Sequence, residues 1–371
     1  RVLGAVPSLV RVAVSSRRDS CLTLCAEIDP NFISQKEGCE VLSPGGKRPS
    51  SVRFIRGRHD SALLRREDRQ FLSKAPFLES EMFGAVVVGL GVAGSVRIRD
   101  MLAPLPGSAA EKLTIKGFIS RRSMGPQQGV EQVSVSDALN RDDISVAFVC
   151  TENETHEETV RQFLEAGKHV CVEYPMTLNY KAAVELWDLA EKNGVILQEE
   201  HIELFTADYK WLKEKVEGQR LQEGALHFTG GSLKPRFGFL AFSGIARLTW
   251  LVELFGWLSV NKATIEEDPN NNYSKMTAHL LTKDNRSLTW IEERGPGLPR
   301  AKNINFKFDS FTLTELPPPA SRGAVGLFMQ DLVLFGAKLA GQVSLEELQR
   351  EKRRVLHCLS LAQKIQDLCL Q

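Results

Sequence analysis

The sequence predicts an α/β domain built on a doubly wound parallel sheet, followed by an α+β domain with a large, mostly antiparallel sheet. Three observations predict this. A continuous apolar run at residues 85–88 opens onto a glycine-rich turn. Strand-like and helix-like segments then alternate over about 100 residues, as a parallel sheet with crossover helices requires. After residue 200 the alternation gives way to runs of period two, the mark of strands with one covered face.

The elements follow in order. Residues 85–88 (Ala-Val-Val-Val) read as a strand buried on both faces. Further strands are expected at Leu113–Ile119, Ser145–Cys150 and Val170–Val172. A helical stretch at Thr159–Ala166 stops at Gly167, and another at Leu178–Lys192 stops at Gly194, both as C-terminal caps. In the second helix Ala182, Ala183, Leu186, Trp187 and Ala190 share one face. Ala225–Phe228, Ala263–Glu266, Lys275–Leu281, Ser287–Glu292 and Asn303–Phe308 read as strands of an antiparallel or mixed sheet. Pro317-Pro318-Pro319 makes a rigid connection to two closing helices, Val325–Leu339 and Leu345–Leu368. Ser344 and Glu347 are spaced as a capping box for the last. The domains predicted are therefore 82–200 and 201–371.

Residues 1–81 differ. They are rich in Arg and Ser, and the first methionine is Met82. A targeting presequence would be Arg-rich and poor in acids, which residues 1–18 resemble, but Asp19, Glu27, Asp29, Glu37 and Glu40 depart from that pattern. Upstream sequence translated as an extension is the favoured reading, and disorder is expected there.

Composition limits the function. The 371 residues carry a formal net charge of +1, which gives no argument for a nucleic-acid or membrane partner. The seven scattered cysteines do not form a disulfide framework and read as reduced thiols of a cytosolic protein. No apolar run approaches the ~20 residues that span a bilayer.

Gly89-Leu90-Gly91-Val92-Ala93-Gly94 matches G-x-G-x-x-G between a buried strand and a helical stretch at Ser95–Leu102. In that context Gly89 allows a tight turn, Gly91 lets backbone approach a pyrophosphate, and Gly94 lets helix pack on sheet. The helix N-terminus offers free N–H groups and partial positive charge to the phosphates, giving a Rossmann-type nicotinamide site. At the end of the second strand, where an acid would select NAD, stand Ser120-Arg121-Arg122. Two guanidiniums and a hydroxyl suit a 2′-phosphate, so NADPH is the preferred cofactor and NADH is tolerated; a solvated basic loop is the competing reading.

Gly167-Lys168-His169-Val170 and Glu173-Tyr174-Pro175 resemble the glucose-fructose oxidoreductase and inositol dehydrogenase superfamily. Tyr174 stands where that superfamily has a lysine near the nicotinamide. Residues 242–250, Phe-Ser-Gly-Ile-Ala-Arg-Leu-Thr-Trp, lack its Asp and His. Losing those groups argues against removing a proton from a sugar hydroxyl. With G-S-V-R-I-R-D, V-E-Y-P-M-T-L, W-I-E-E-R-G-P-G-L and V-L-H-C-L-S-L-A, the chain from Gly84 to Leu368 resembles the biliverdin reductase A family.

That resemblance implies reduction of the central methine bridge of biliverdin to bilirubin, in haem catabolism, by direct hydride transfer from NADPH or NADH. It implies a tetrapyrrole substrate with two propionates, and a cytosolic monomer is expected. Arg247, among apolar residues, is the choice for a propionate; an ion pair with a local carboxylate competes. Tyr174 is expected beside the nicotinamide as an orienting group or donor, against simple packing under Pro175. By resemblance Asn153, Glu154, Thr155 and His156 cover part of the cofactor, next to Glu173; for His156 taken alone a structural turn residue is the favoured reading. Glu200 and Glu203 are carried over as substrate-site carboxylates, but a solvated helix face is the favoured reading of them. The family's terminal zinc cluster would leave His357, Cys358 and Cys369 here, since Leu370 replaces the final cysteine. Packing cysteines are the favoured reading of these. A sugar or polyol dehydrogenase, or a non-catalytic NADPH-binding signalling protein, are the rival functions.

Overall fold

In the computed structural model, residues 82–318 and 325–371 are described. The expectations for residues 1–81 and for Pro319 lie outside them.

Strand β1 (Phe83–Val88) runs into helix α1 (Val92–Leu102) through the glycine turn. Then come β2 (Leu113–Ile119), α2 (Val135–Asn140), β3 (Val146–Val149), α3 (His156–Glu165), β4 (His169–Val172), α4 (Tyr180–Asn193) and β5 (Leu197–Glu199). These strands form one parallel sheet of order β2-β1-β3-β4-β5. The alternation expected from the sequence is therefore present. The helix predicted from Ser95 starts three residues earlier, at Val92, and β5 and α2 are too short to stand out by periodicity. Gly167 and Gly194 have positive φ of 69° and 67°, as helix-ending glycines should.

Both faces of this sheet are dry, which is why its strands read as unbroken apolar runs. Val86, Val88, Ala147, Val149, Val170 and Val172 pack into the core shared with α3 and α4. Ala85, Val87, Val146, Phe148 and Cys171 face the other way.

The second half starts with α5 (Ala207–Val216), β6 (Leu221–Gly230), α6 (Leu240–Ser243) and α7 (Ile245–Phe255). Strands β7 (Leu258–Asp268), β8 (Tyr273–Thr282), β9 (Ser287–Arg294), β10 (Ala301–Phe308) and β11 (Thr312–Leu313) follow. The six-stranded sheet has order β11-β10-β6-β9-β8-β7. All its pairs are antiparallel except β6 with β9, so it is mixed. Helix α7 was not legible because it is apolar nearly all round: eight of its residues, Ile245 through Val252, are buried.

Two helices close the chain, α8 (Leu327–Leu339) and α9 (Leu345–Cys369), the latter with the Ser344/Glu347 capping box. Helix α8 does not stay with the second sheet. Met329, Leu332, Phe335 and Leu339 pack on the face of the first sheet formed by Ala85, Val87 and Phe148. Phe335 meets Phe148 edge-on at 5.5 Å.

Two histidines are held neutral by what they bond. His169 Nδ1 accepts from the Ile196 amide at 2.9 Å, and His357 Nε2 accepts from the Leu258 amide at 3.2 Å. Burial lowers each pKa from 6.5 to about 4. An imidazole with a depressed folded pKa stabilises the fold fully above pH 6.5 and loses that contribution as pH falls towards 4. Thermal unfolding is therefore expected to be flat above neutrality and to fall across this window. His169→Asn keeps an acceptor without titrating and should remove on the order of 2 kcal/mol of the fall. An unchanged pH profile would contradict this account.

Candidate active site

The glycine turn lies at the carboxyl end of β1, where open α/β sheets bind ligands. Gly89 takes φ of 96°, and a Cβ there would sit 2.7 Å from the Cys150 carbonyl oxygen. A Cβ on Gly94 would meet the Gly89 carbonyl oxygen at 2.0 Å, so only hydrogen lets α1 pack back on the strand. Around Gly91 nothing lies within 4 Å: its α-carbon faces an open cradle. Gly91 caps α1 without a side chain, and residues 92–95 carry no acid, so the positive helix end is unopposed. Leu90 and Ala93 are half-buried, while Val92 is exposed on the cradle's rim. This geometry fits a dinucleotide pyrophosphate.

Beyond β2, the Arg122 amide donates to Ser120 Oγ at 3.2 Å, and Gln132 Nε2 donates to the Ser120 and Arg122 carbonyls at 3.0 Å. The loop is thus ordered while both arginines remain exposed. Arg121 pairs with Glu152 at 2.8 Å.

The segment after β3 is bound inward more than the resemblance implied. Asn153 Nδ2 donates to the Phe237 carbonyl at 3.0 Å, and Thr155 Oγ1 to the Glu152 carbonyl at 2.8 Å. Glu154 is exposed. His156 is 1% exposed, with Nδ1 2.8 Å from the Pro175 carbonyl oxygen and Nε2 3.1 Å from that of Thr151. Both ring nitrogens are engaged by backbone, so His156 pins the Pro175 turn.

Past β4, Glu173 receives Arg97 of α1 at 3.4 Å, and the other arm of that fully buried guanidinium meets Asp331 of α8 at 2.6 Å. Tyr174 precedes a cis peptide to Pro175 and lies parallel to the His201 ring, 6.1 Å away. Burial first, then the charges of Glu203 and Glu200, push its phenol above its ordinary pKa, so it stays a donor.

The carboxylates Glu200 and Glu203 do not form a solvated face. Glu200 is fully buried: Oε1 accepts from the Ile202 amide, and Oε2 has no hydrogen-bond partner among the described residues. Burial, reinforced by Glu173 and Asp331, holds its pKa well above the usual carboxylate range. Glu203 is paired with Lys302 at 3.3 Å and Arg300 at 3.8 Å.

Arg247 is 4% exposed and forks onto Glu292, NH2 to Oε1 at 2.6 Å and Nε to Oε2 at 3.2 Å. The ion pair that competed with a propionate as the reading of Arg247 is present: a guanidinium buried inside an apolar helix needs a local countercharge, and Glu292 supplies it. What sequence reading missed is the group around it. Arg294 also grips Glu292, at 2.7 Å. Arg247, Arg294 and Arg300 stand 4.3, 4.6 and 5.4 Å from the centre of the Phe228 ring. Arg294 has its pKa lowered, by burial first and by crowding from Arg247 and Arg300, despite Glu292. An incoming anion relieves that crowding. The Arg247 charge works against the rise of the Tyr174 pKa. W-I-E-E-R-G-P-G-L, with its repeated charges inside a period-two strand, was the available signal for Arg294.

The three zinc candidates do not come together. His357 Nε2 is used by the Leu258 amide, and buried Cys358 accepts from Thr249 Oγ1 at 3.7 Å. Cys369 is eleven residues along the same helix, about 16 Å at the α-helical rise. Among the described residues no cluster of three or more His, Cys, Asp or Glu could hold a metal.

A parallel sheet with a nucleotide-type glycine turn, followed by a second, mixed sheet, is the architecture of an oxidoreductase with a Rossmann fold. Residues 83–201 match the family model described as oxidoreductase family, NAD-binding Rossmann fold, and residues 209–320 match that described as biliverdin reductase, catalytic. Biliverdin reductase A of Homo sapiens is 51% identical over 288 residues, covering 77% of this chain and 96% of that protein. The Mus musculus protein of the same name is 50% identical over the same coverage. The chain belongs to the biliverdin reductase family. Among solved structures, biliverdin reductase from Synechocystis sp. PCC 6803, in complex with biliverdin and NADP+, superposes with a TM-score of 0.66 at 20% identity, covering 78% of this chain and 99% of that one. A 3-ketoreductase from Actinomadura kijaniata in complex with NADP gives 0.61 at 17% identity, over 78% and 98%. At such identities these two likenesses speak for the fold.

The glycines separate folding from binding. Gly91→Ala should leave the melting temperature unchanged yet weaken dinucleotide binding about tenfold or more, because its methyl enters the cradle. Gly94→Ala should cost on the order of 3 kcal/mol of stability through the backbone clash. Thermal melts and nucleotide titration distinguish the two, and equal behaviour would contradict the assignment.

Proposed function

We propose that this protein reduces the central methine bridge of biliverdin to bilirubin, with NADPH preferred over NADH. The observation that carries the reading is membership of the biliverdin reductase family, supported by a group of cations, Arg247, Arg294 and Arg300, gathered around the buried Phe228 ring. A tetrapyrrole with two propionates asks for cations, and Arg294 and Arg300 are the more exposed of the three.

When bound, the nicotinamide supplies the hydride to the bridging carbon. The turn at Gly89, Leu90, Gly91, Val92, Ala93 and Gly94 cradles the pyrophosphate, and Ser120, Arg121 and Arg122 favour a 2′-phosphate. Glu173 and Tyr174 border the nicotinamide, with His156 fixing the turn behind them. Asn153, Glu154 and Thr155 shape the edge of the cofactor cleft. Arg294 and Arg300 take the propionates, while Arg247 positions Arg294 through Glu292, whose Oε1 both guanidiniums share. Glu203 orients Arg300 and Lys302. Reduction also places a proton on a pyrrole nitrogen. Tyr174 and Glu200 are both held towards their protonated forms and lie within electrostatic reach of each other, so either can donate it. Water is the remaining source. The described cysteines are free thiols, which suits the cytosol, and we take the working form to be a monomer. Among the described residues no helix is long and apolar enough to cross a membrane.

Decolorisation of biliverdin with each nicotinamide tests the reading; absence of turnover with both would overturn it. Arg294→Ala should raise the KM for biliverdin about tenfold or more with little change for NADPH, a charge-assisted contact being lost. Arg247→Ala should instead destabilise the fold by on the order of 3 kcal/mol, since it strips Glu292 of a buried partner. Replacing Arg121 and Arg122 together should penalise NADPH over NADH, and an unchanged preference would remove the phosphate assignment.

A further inference from the structure

The Arg121–Glu152 pair is placed unusually. Arg121 follows β2 and Glu152 follows β3, and the sheet order puts β1 between them. The pair therefore reaches across two strand spacings, roughly 10 Å, over the carboxyl end of β1 where the glycine turn lies. Side chains ending β2 and β3 flank the adenosine end of a dinucleotide whose pyrophosphate sits on that turn. Glu152 is not an isolated acid there. Its Oε2 takes Arg121 at 2.8 Å and its Oε1 takes Arg236 at 3.0 Å. Arg236 belongs to the short turn Pro235–Phe237 between β6 and α6, which Asn153 also holds through the Phe237 carbonyl.

We propose that Glu152 is a specificity-determining residue: it competes with the 2′-phosphate of the coenzyme for Arg121 and so narrows the gap between NADPH and NADH. The inference rests on the coenzyme reading given above. With NADH bound, Arg121 keeps its carboxylate partner and nothing is lost. With NADPH bound, Arg121 exchanges Glu152 for the phosphate, and the gain is the difference between two charge-assisted contacts instead of one whole contact. Arg236 makes the exchange feasible, because the released carboxylate keeps a guanidinium. The acid normally expected at the end of the second strand to select NAD is absent. Glu152 supplies a weaker negative charge from the opposite wall.

The test uses the full chain and measures the Kd of NADPH and of NADH by nucleotide fluorescence, without biliverdin. Glu152→Gln should tighten NADPH about three- to fivefold, the range of one partly exposed ion pair, and change NADH by less than about twofold. In an Arg121→Ala background the same substitution should give no gain. Arg236→Gln should act oppositely and lower the NADPH preference, because Glu152 then depends on Arg121 alone. Equal shifts for the two coenzymes, or the full gain persisting without Arg121, would overturn the proposal while leaving the coenzyme reading intact. A wild-type protein that binds neither nucleotide would overturn the coenzyme reading itself.

Discussion

A single buried cation holds the two faces of the coenzyme half to the reaction end of the sheet. Arg97 of α1 has no exposed surface, and a charge so placed persists only with partners. It finds Asp331 on α8 and Glu173 at the end of β4, and stacks over Phe148 and Phe328 at 5.3 and 4.9 Å. The network continues inward: Gln198 Nε2 donates to Asp331 at 2.8 Å, and Lys338 donates to Gln198 Oε1 at 2.6 Å and to Glu351. Thus the helix that follows the glycine turn is tied to the carboxylate beside Tyr174. Breaking one member leaves its neighbours charged and dry, so the set is held as a unit.

The same logic of mutual neutralisation governs the second sheet. Three acids near an anionic substrate look unfavourable when read one at a time. In the fold Glu203 is covered by Lys302 and Arg300, Glu292 by Arg247 and Arg294, and Glu200 is driven towards its neutral form. Glu203 and Glu292 hold cations, and Glu200 sheds its charge. Arg294 and Arg300 thereby lie near the Phe228 ring, Arg294 half-buried on Glu292 and Arg300 exposed beside Glu203.

Legibility in the sequence followed the range of the interaction. The glycine turn was readable because its constraints are local: a strand, three glycines and a helix start fall within about a dozen residues. The capping box at Ser344 and the glycine stops at Gly167 and Gly194 were readable for the same reason. Helix α7 was not, since burial on all sides erases periodicity. Arg247 was singled out correctly as a cation in an apolar setting, but its partner lies 45 residues away on β9, beyond any spacing rule. His156 likewise bonds the Pro175 carbonyl, a contact set by tertiary approach alone.

The return of α8 to the first sheet has a consequence for how the chain can mature. Met329, Leu332, Phe335 and Leu339 dry a face whose strands were all made by residue 199, and a Cβ on Gly336 would sit 2.3 Å from the Ala109 carbonyl oxygen. A nascent polypeptide emerging amino end first must therefore carry an unfinished, greasy surface while well over a hundred more residues are synthesised. Halting translation after β5 would release a half that lacks its own lid of hydrocarbon, a species for chaperones to shelter and not an autonomous module.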